Sequence, residues 1–149
     1  MERLARTAPM TAPSTSHLRA KWLLRLAAWM LIAVFGWAGV AKLADPAAFA
    51  TAIDGYRLTP PFASAIMAVY LPWFEIALAA GLLTHRLRSS AALLAAVLML
   101  VFTIATGLAL ARGLDIECGC FGSAHPTPLH LALIRDIGLF LAAALLARN

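Results

Sequence analysis

Four apolar stretches, each long enough to cross a lipid bilayer, set the strongest limit on how this chain folds. A bilayer core about 30 Å thick needs roughly 20 apolar residues in a helix, and each stretch reaches that length. The stretches are continuously apolar and do not alternate, which favours helices over the strands of a membrane barrel. The sequence therefore predicts an all-α integral membrane four-helix bundle, with spans at Trp22–Ala44, Phe62–Thr84, Ser90–Ala111 and Leu129–Ala147.

The composition agrees with a membrane protein and leaves no room for a soluble domain. Of the 149 residues, 62% are hydrophobic and 13% are charged, far from the average of soluble proteins. Residues 1–21 are polar, basic and rich in Pro, Ser and Thr, so we predict a disordered tail there. The first apolar run is about twice as long as a signal-peptide core, so we predict that it is retained as a helix. The domain division is then a 1–21 tail and a 22–149 membrane domain.

The basic residues are distributed unevenly between the two sides of the predicted spans. Eight lie on the side of the termini and three lie on the other side, and the side that carries more Lys and Arg usually faces the cytoplasm. We therefore predict that both termini and the 84–89 turn are cytoplasmic. The net charge of +5 follows from this topology, so no nucleic-acid binding is predicted. The two sets are Arg3, Arg6, Arg19, Lys21, Arg25, Arg86, Arg88 and Arg148, against Lys42, Arg57 and Arg112.

Cys118 and Cys120 are the only two cysteines, and a single glycine separates them in the loop before the last span. The predicted topology puts this loop outside the cytoplasm, where disulfides persist. A disulfide between them would stabilise the folded state only weakly. Closing a three-residue ring contributes about 1.6 kcal/mol of stability, and ring strain subtracts from it. A strained, exposed disulfide is instead easily reduced and exchanges readily. The spacing favours a redox role for the two cysteines over a purely structural disulfide.

A metal site is the other alternative for the cysteine pair. Two thiolates one residue apart, together with His125 and His130, would supply ligands suited to Zn or Cu(I). The spacing is not that of a zinc finger, and both histidines have ordinary explanations as loop or interfacial residues. The sequence ranks this alternative below redox exchange, and no metal is predicted.

Ionisable residues inside the predicted spans form a second set of candidate functional residues. Glu75 lies near the middle of the second span, and Arg135 and Asp136 lie about two turns into the fourth. Such groups are costly in lipid unless they are paired or face a wet cavity, so they mark candidate functional positions. We predict that Glu75 pairs with Arg135, and that Asp136 faces a third helix or Lys42. The alternative without a ligand is that the Glu75–Arg135 pair only locks two helices together.

These charged residues are predicted to line a polar cleft that descends from the cysteine loop. A cleft of this kind suits a quinone ring or a proton route. Aromatic side chains at similar positions are expected to form its walls, namely Trp37, Trp73, Phe74 and Phe121.

At this point the motifs resemble those of the MauE group, within the wider DoxX-like family of small four-helix membrane proteins. The likeness covers nearly everything after the basic tail, and its matching runs are Phe35–Leu43, Leu71–Glu75 with Gly81, Arg112–Gly113, Cys118–Gly122 and Arg135–Asp136. It implies a redox-associated protein of the bacterial inner membrane with a periplasmic cysteine loop. In the family's namesake setting, methylamine utilisation, it implies a link to maturation of the disulfide-rich, quinone-bearing methylamine dehydrogenase subunit. There the resemblance implies a periplasmic thioredoxin-like protein as the partner.

The functional prediction is a membrane protein whose Cys118 and Cys120 exchange disulfides with a thioredoxin-like partner or thiol client, as a thiol-disulfide oxidoreductase would. One cysteine pair needs an external electron carrier, and membrane quinone is the candidate. The residues expected to bind it are Lys42, Trp73, Glu75, Arg135 and Asp136. The alternative is a non-enzymatic assembly factor or accessory subunit, with a structural cysteine pair and an architectural Glu75–Arg135 lock.

Overall fold

The structure, a computed structural model, describes residues 15–114, 117–118 and 127–148. In chain order its elements are α1 (Thr15–Ala44), α2 (Pro46–Gly55), α3 (Pro61–Leu83), α4 (Arg88–Ala111), β1 (Glu117–Cys118), β2 (Thr127–Pro128) and α5 (Leu129–Ala147). Four helices are long and apolar enough to cross a membrane: α1 over Lys21–Ala44, and the whole of α3, α4 and α5. The predicted four membrane helices are confirmed.

Two features of the helices differ from the prediction. The first helix begins at Thr15, so the last seven residues of the predicted tail, 15–21, are helical. The short helix α2 was not predicted, because its ten residues are too few for a span. Its start signal is nevertheless in the sequence. The Asp45 carboxylate accepts a hydrogen bond of 2.9 Å from the Ala48 N–H, and Pro46 occupies the first helical position, where its missing N–H costs nothing.

The four long helices form an antiparallel bundle. Close approaches of α1 and α3 run in opposite chain directions, since Gly36 lies against Ala79 while Gly39 lies against Ile76. At the end of the bundle where α4 begins, the Ser89 hydroxyl donates 2.9 Å to the Ala147 carbonyl of α5. The N-terminal end of α1 and the C-terminal end of α5 therefore lie at the same end of the bundle.

The closest approach of α1 and α3 occurs at Gly39. A Cβ added there would lie 2.8 Å from the Ile76 side chain and 2.9 Å from the Pro72 carbonyl oxygen, a backbone atom that cannot move aside cheaply. At Gly36, one turn earlier, the added Cβ would meet Ala79 at an ordinary 3.9 Å. Small residues at such contacts let membrane helices pack closely.

This difference predicts unequal losses of stability for the same substitution at the two glycines. Gly39→Ala is expected to lower the free energy of unfolding by about 1 to 3 kcal/mol, because α1 and α3 must separate to admit the methyl group. Gly36→Ala is expected to change it by less than about 0.5 kcal/mol. Unfolding in mixed micelles measures both. Equal stabilities of the two variants would contradict the packing described here.

The opposite end of the bundle is held by the connection after α4. Helix α4 ends in a glycine turn, in which Gly113 adopts a left-handed φ of +65° and the Leu114 N–H reaches back 3.1 Å to the Ala109 carbonyl. The Arg112 guanidinium donates to the carbonyl oxygens of Tyr56 and Arg57, at 3.3 and 3.4 Å. The α2–α3 connection is thereby joined to the end of α4.

A two-residue antiparallel β-ladder lies at the same end of the bundle. Strand β1 pairs with β2 so that Cys118 lies opposite Thr127, two residues before α5 begins. The backbone of Cys118 is therefore beside the N-terminal end of α5.

The inward faces of the helices follow one spacing, and the intramembrane charges lie on those faces. Buried positions recur every three or four residues, as expected when one stripe of a helix faces a bundle core. Lys42, Glu75 and Asp136 each continue such a stripe, so the helices turn these charges inward. The stripes are Ala28, Leu31, Phe35, Ala38 and Lys42 in α1; Ser64, Ala68, Pro72, Glu75, Leu78 and Leu82 in α3; and Leu129, Ala132, Asp136, Leu139, Ala143 and Leu146 in α5.

Candidate functional site: buried charges, two cavities and the cysteine loop

The carboxylate of Glu75 is bound by Lys42. The Lys42 ammonium donates to both carboxylate oxygens, at 2.5 Å to Oε1 and 2.7 Å to Oε2, and each residue is 1% exposed. Among the described residues no ion pair joins Glu75 to Arg135, so the predicted Glu75–Arg135 pair is wrong. The reason is the axial offset of the helices. The close contact of Gly39 with Pro72 brings the last turn of α1 to the middle of α3, and Lys42 then reaches Glu75 directly.

Two aromatic rings complete the surroundings of the Lys42 ammonium. Its nitrogen lies 5.1 Å from the ring centroid of Phe49 in α2 and 5.7 Å from that of Phe102 in α4. Ring faces at such distances attract a cation, more so where water is excluded. The sequence analysis missed both residues. Phe49 had a usable signal, since the Asp45–Pro46 helix start sets its position in α2, whereas Phe102 lies within a uniformly apolar stretch.

Arg135 and Asp136 form a second ion pair, within α5. The Asp136 Oδ1 accepts from Arg135 Nε at 3.0 Å and from Nη2 at 2.8 Å. Asp136 is 2% exposed, while the Arg135 side chain is 24% exposed. Although neighbours on a helix point about 100° apart, the long Arg side chain folds back to its neighbour's carboxylate. Asp136 thus lies on the inward face of α5, and the partner that the structure gives it is its own neighbour Arg135, which was not predicted.

The two ion pairs border one small cavity in the centre of the bundle. Lys42, Glu75, Arg135 and Asp136 all line it, so the structure brings together the four charged residues that the sequence grouped. The cavity volume is about 20 Å³, which is room for about one water molecule. This volume is below the roughly 150 Å³ of an apolar cavity that binds benzene, and quinone binding by these residues stays a prediction.

The tryptophans expected to wall the polar cleft face away from it. Trp73 is 60% exposed, and Trp37 and Phe74 are exposed as well. They lie on the outer surface of α1 and α3, the surface that faces lipid in a membrane-spanning bundle. Phe121, the fourth expected wall residue, lies outside the described residues. Trp73 is not among the described residues that line the small polar cavity.

A larger, apolar cavity lies between α2, α3 and α4. Its volume is about 250 Å³, and its lining includes Phe49, Leu71 and Phe102 together with the hydroxyl-bearing Tyr56 and Thr59. Phe102 also lines the small polar cavity. The two rings that contact the Lys42 ammonium are thus also part of the apolar cavity's wall.

The cysteine loop is described only in part. The backbone of Cys118 lies in β1, as given above, whereas Cys120 and His125 lie outside the described residues. His130 lies on the exposed surface of α5. Within the described ranges no three His, Cys, Asp or Glu side chains come close enough to hold a metal ion. The disulfide and metal alternatives of the sequence analysis both depend on residues beyond those ranges.

Comparison with known proteins gives one consistent family. The family model described as methylamine utilisation protein MauE matches residues 20–148. The chain is 34% identical over 128 residues to the methylamine utilization protein MauE of Paracoccus denitrificans, covering 85% of this chain and 67% of that protein. It is 37% identical over 115 residues to the protein of that name from Methylorubrum extorquens, covering 76% and 62%. The chain thus spans about two thirds of the length of these relatives. No solved structure matches it.

Proposed function

The chain belongs to the MauE family, and from this premise we propose that it is a redox-associated membrane protein that exchanges disulfides through Cys118 and Cys120. The partner is a thioredoxin-like protein or thiol client outside the cytoplasm. The relatives are named for methylamine utilisation, and we extend that setting to this chain, as a factor in the maturation of a periplasmic protein. The membrane is the inner membrane of a bacterium.

The observation that carries the proposal is the position of the cysteine run. The chain has two cysteines, one residue apart, and the first is paired through its backbone with the residues that start α5. The backbone of Cys118 therefore lies at the end of the bundle, outside the four spans, where we expect a soluble partner to approach. A three-residue disulfide ring is strained and hence reactive toward an attacking thiolate.

The charges at the two ends of the bundle support an outward-facing loop. Lys21, Arg25, Arg86, Arg88 and Arg148 belong to the end that holds both termini. At the other end Lys42 is neutralised by Glu75, which leaves Arg57 and Arg112 there among the described residues. With Lys42 set aside, the sequence count becomes eight against two, which favours cytoplasmic termini and an extracytoplasmic cysteine loop.

The exchange itself balances without a cofactor. A client dithiol attacks the Cys118–Cys120 disulfide, a mixed disulfide forms, and its resolution leaves an oxidised client and a reduced cysteine pair. Regenerating the disulfide removes two electrons and two protons. The protein then needs an oxidant, for which a membrane quinone has the correct stoichiometry.

One observation favours a second candidate function, that of a non-enzymatic assembly factor. Each of the four intramembrane charges is paired with another of the four. The cavity that they line has room for about one water molecule. The Lys42–Glu75 pair has the properties of a lock between α1 and α3. In that case the cysteine pair would be structural, and it would not turn over with a thiol partner.

Thiol labelling separates the two functions and tests the orientation. A membrane-impermeant maleimide added to intact spheroplasts is expected to label the protein only after mild reductant, because the oxidised pair is outward-facing and easily reduced. The Cys118→Ser/Cys120→Ser variant has no other cysteine and is the matched blank. Labelling that requires permeabilised membranes would contradict the orientation. A pair that stays unlabelled under mild reductant, yet reacts in denaturant, would favour the structural role.

A further inference from the structure

We propose that a groove between α4 and α5 binds one anionic phospholipid, with an acyl chain along the groove and the phosphate beside Arg148. This α4–α5 groove runs from Ser89 to Leu100 on α4 and from Phe140 to Arg148 on α5. The proposal goes beyond disulfide exchange and does not depend on it. It concerns the opposite end of the bundle from the cysteine loop.

The lining of the α4–α5 groove changes from polar to apolar along its length, as a phospholipid does. The volume of the groove is about 420 Å³. Its polar lining residues, Ser89, Ser90 and Arg148, all lie at the end of the bundle that holds the termini. The remaining lining residues are apolar and continue as far as Leu100 on α4 and Phe140 on α5. A ligand that matches this arrangement has one polar end and one long apolar end.

The length of the groove matches the depth of one bilayer leaflet. Helix α4 rises about 16 Å from Ser89 to Leu100, at 1.5 Å per residue. A bilayer core is about 30 Å thick, so an acyl chain in one leaflet extends through about 15 Å. Because α4 begins at Arg88, the groove occupies the first half of this span, and the acyl chain would lie in the leaflet at that end.

The groove is open on the side that faces lipid. Leu93, Val97 and Leu100 line it with exposed side chains, whereas Ala96 at its floor is buried. An acyl chain can therefore enter from the surrounding bilayer without separating α4 from α5. Once there, it gives the apolar walls the van der Waals contacts that a close-packed surface requires.

The charge around the polar end of the groove is positive, which selects an anionic headgroup. Lys21, Arg25, Arg86, Arg88 and Arg148 lie at this end of the bundle. In the described ranges 15–114, 117–118 and 127–148, every Asp and Glu lies elsewhere: in the α1–α3 connection, inside the bundle or in β1. Basic pockets between membrane helices on the cytoplasmic side bind anionic lipid headgroups, and the proposed orientation puts this end on that side.

Arg148 is the residue that we assign to the phosphate. It is exposed at the polar end of the groove, and its guanidinium carries five N–H donors in a fork that fits phosphate oxygens. The Ser90 hydroxyl is a second donor at the same end. The Ser89 hydroxyl has a single proton and donates it to the Ala147 carbonyl, so Ser89 joins the two helices and does not bind phosphate.

Native mass spectrometry of the detergent-solubilised protein tests the site. The probe is dioleoyl phosphatidylglycerol, and the comparison lipid is dioleoyl phosphatidylcholine, which has the same chains and no net charge. We expect the protein to retain one phosphatidylglycerol molecule and to bind it about fivefold more tightly than phosphatidylcholine, since one basic residue near a lipid headgroup changes affinity by about that factor.

Two pairs of substitutions locate the site. Arg148→Gln is expected to weaken phosphatidylglycerol binding by about fivefold, whereas Arg57→Gln removes the same charge from the opposite end and is expected to leave it unchanged. Val97→Phe places a ring in the groove and is expected to weaken binding by about tenfold. Val69→Phe adds the same group on the outer surface of α3, at a valine that is likewise 52% exposed, and is expected to bind as the unsubstituted protein does.

Four results would overturn the site. Equal retention of the two lipids would mark ordinary boundary lipid, and equal binding by the two members of either substitution pair would place the lipid elsewhere. Displacement of the lipid by an equal concentration of glycerol 3-phosphate would mark a site for free phosphate. A dimer that Val97→Phe dissociates would mean that a second copy of the chain covers the groove.

A second measurement decides if Val97→Phe does not fold. The unsubstituted protein is irradiated with a phosphatidylglycerol that carries a diazirine in one acyl chain, and the crosslinked peptides are sequenced. Crosslinks are expected within residues 93–100 or 140–144, which line the apolar part of the groove. Crosslinks confined to other segments would contradict the proposal.

Discussion

Replacing both cysteines, in Cys118→Ser/Cys120→Ser, is expected to abolish thiol-disulfide exchange while the protein still accumulates in the membrane. Exchange requires two sulfurs, and no other cysteine can substitute. Accumulation should persist because a three-residue ring contributes only about 1.6 kcal/mol even before strain is subtracted. Two measurements on the same membranes check this: the redox state of a periplasmic client and the amount of membrane-inserted protein.

The control for this prediction is Ser89→Ala, which removes a hydroxyl at the opposite end of the bundle. It loses the hydrogen bond to Ala147 and is expected to leave exchange unchanged. If the double cysteine variant disappears from the membrane, the pair is a structural element. The assembly-factor function would then be favoured.

The second large effect is expected at the buried Lys42–Glu75 pair. Glu75→Leu leaves the Lys42 ammonium in the bundle without its carboxylate, and Lys42→Met leaves the carboxylate without its cation. Removing one partner of a buried pair typically costs about 3 to 5 kcal/mol. The double replacement Lys42→Met/Glu75→Leu removes both charges and should recover most of that loss. Unfolding of the four proteins in mixed micelles closes a double-mutant cycle.

Two controls make this cycle specific. Asp54→Asn removes a carboxylate from the exposed end of α2 and is expected to change stability by less than about 0.5 kcal/mol. A cycle between Glu75 and Arg135 is expected to give a smaller coupling, because these two residues share the small cavity without forming an ion pair. Additive effects at Lys42 and Glu75, or a larger coupling of Glu75 to Arg135, would contradict the arrangement described here.

The membrane spans could be predicted from the sequence because lipid leaves few choices. A backbone in hydrocarbon must satisfy its own hydrogen bonds, so a long apolar run becomes a helix almost regardless of its neighbours. Helix α2 could not be predicted in this way because its ten residues are too few to span the bilayer. Only the local Asp45–Pro46 start signal marks it, and that signal does not say where the helix packs.

The partners of the buried charges could not be predicted in the same way. The sequence analysis placed Lys42, Glu75, Arg135 and Asp136 in one polar cleft and paired Glu75 with Arg135. Which charges meet depends on how far α1 is displaced along α3, and that offset is set by the contact of Gly39 with Pro72. A one-dimensional pattern specifies which residues face inward but not the relative heights of two helices. Lys42, Glu75 and Asp136 do follow the three- and four-residue spacing of the buried positions, so their inward direction is encoded in the sequence.

The most direct test of the central claim is to trap the mixed disulfide with a partner. Cys118→Ser and Cys120→Ser are each reduced and incubated in nanodiscs with a soluble thioredoxin whose resolving cysteine has been replaced by serine and whose remaining cysteine is carried as a disulfide with thionitrobenzoate, which leaves when a thiolate attacks, and the products are separated without reductant. If the pair exchanges disulfides, one single-cysteine variant is expected to form a covalent complex that reductant dissolves, since the mixed disulfide can no longer be resolved. If neither variant forms a complex, while the loaded thioredoxin reacts normally with a small thiol, the cysteine pair does not exchange and the proposed function is contradicted.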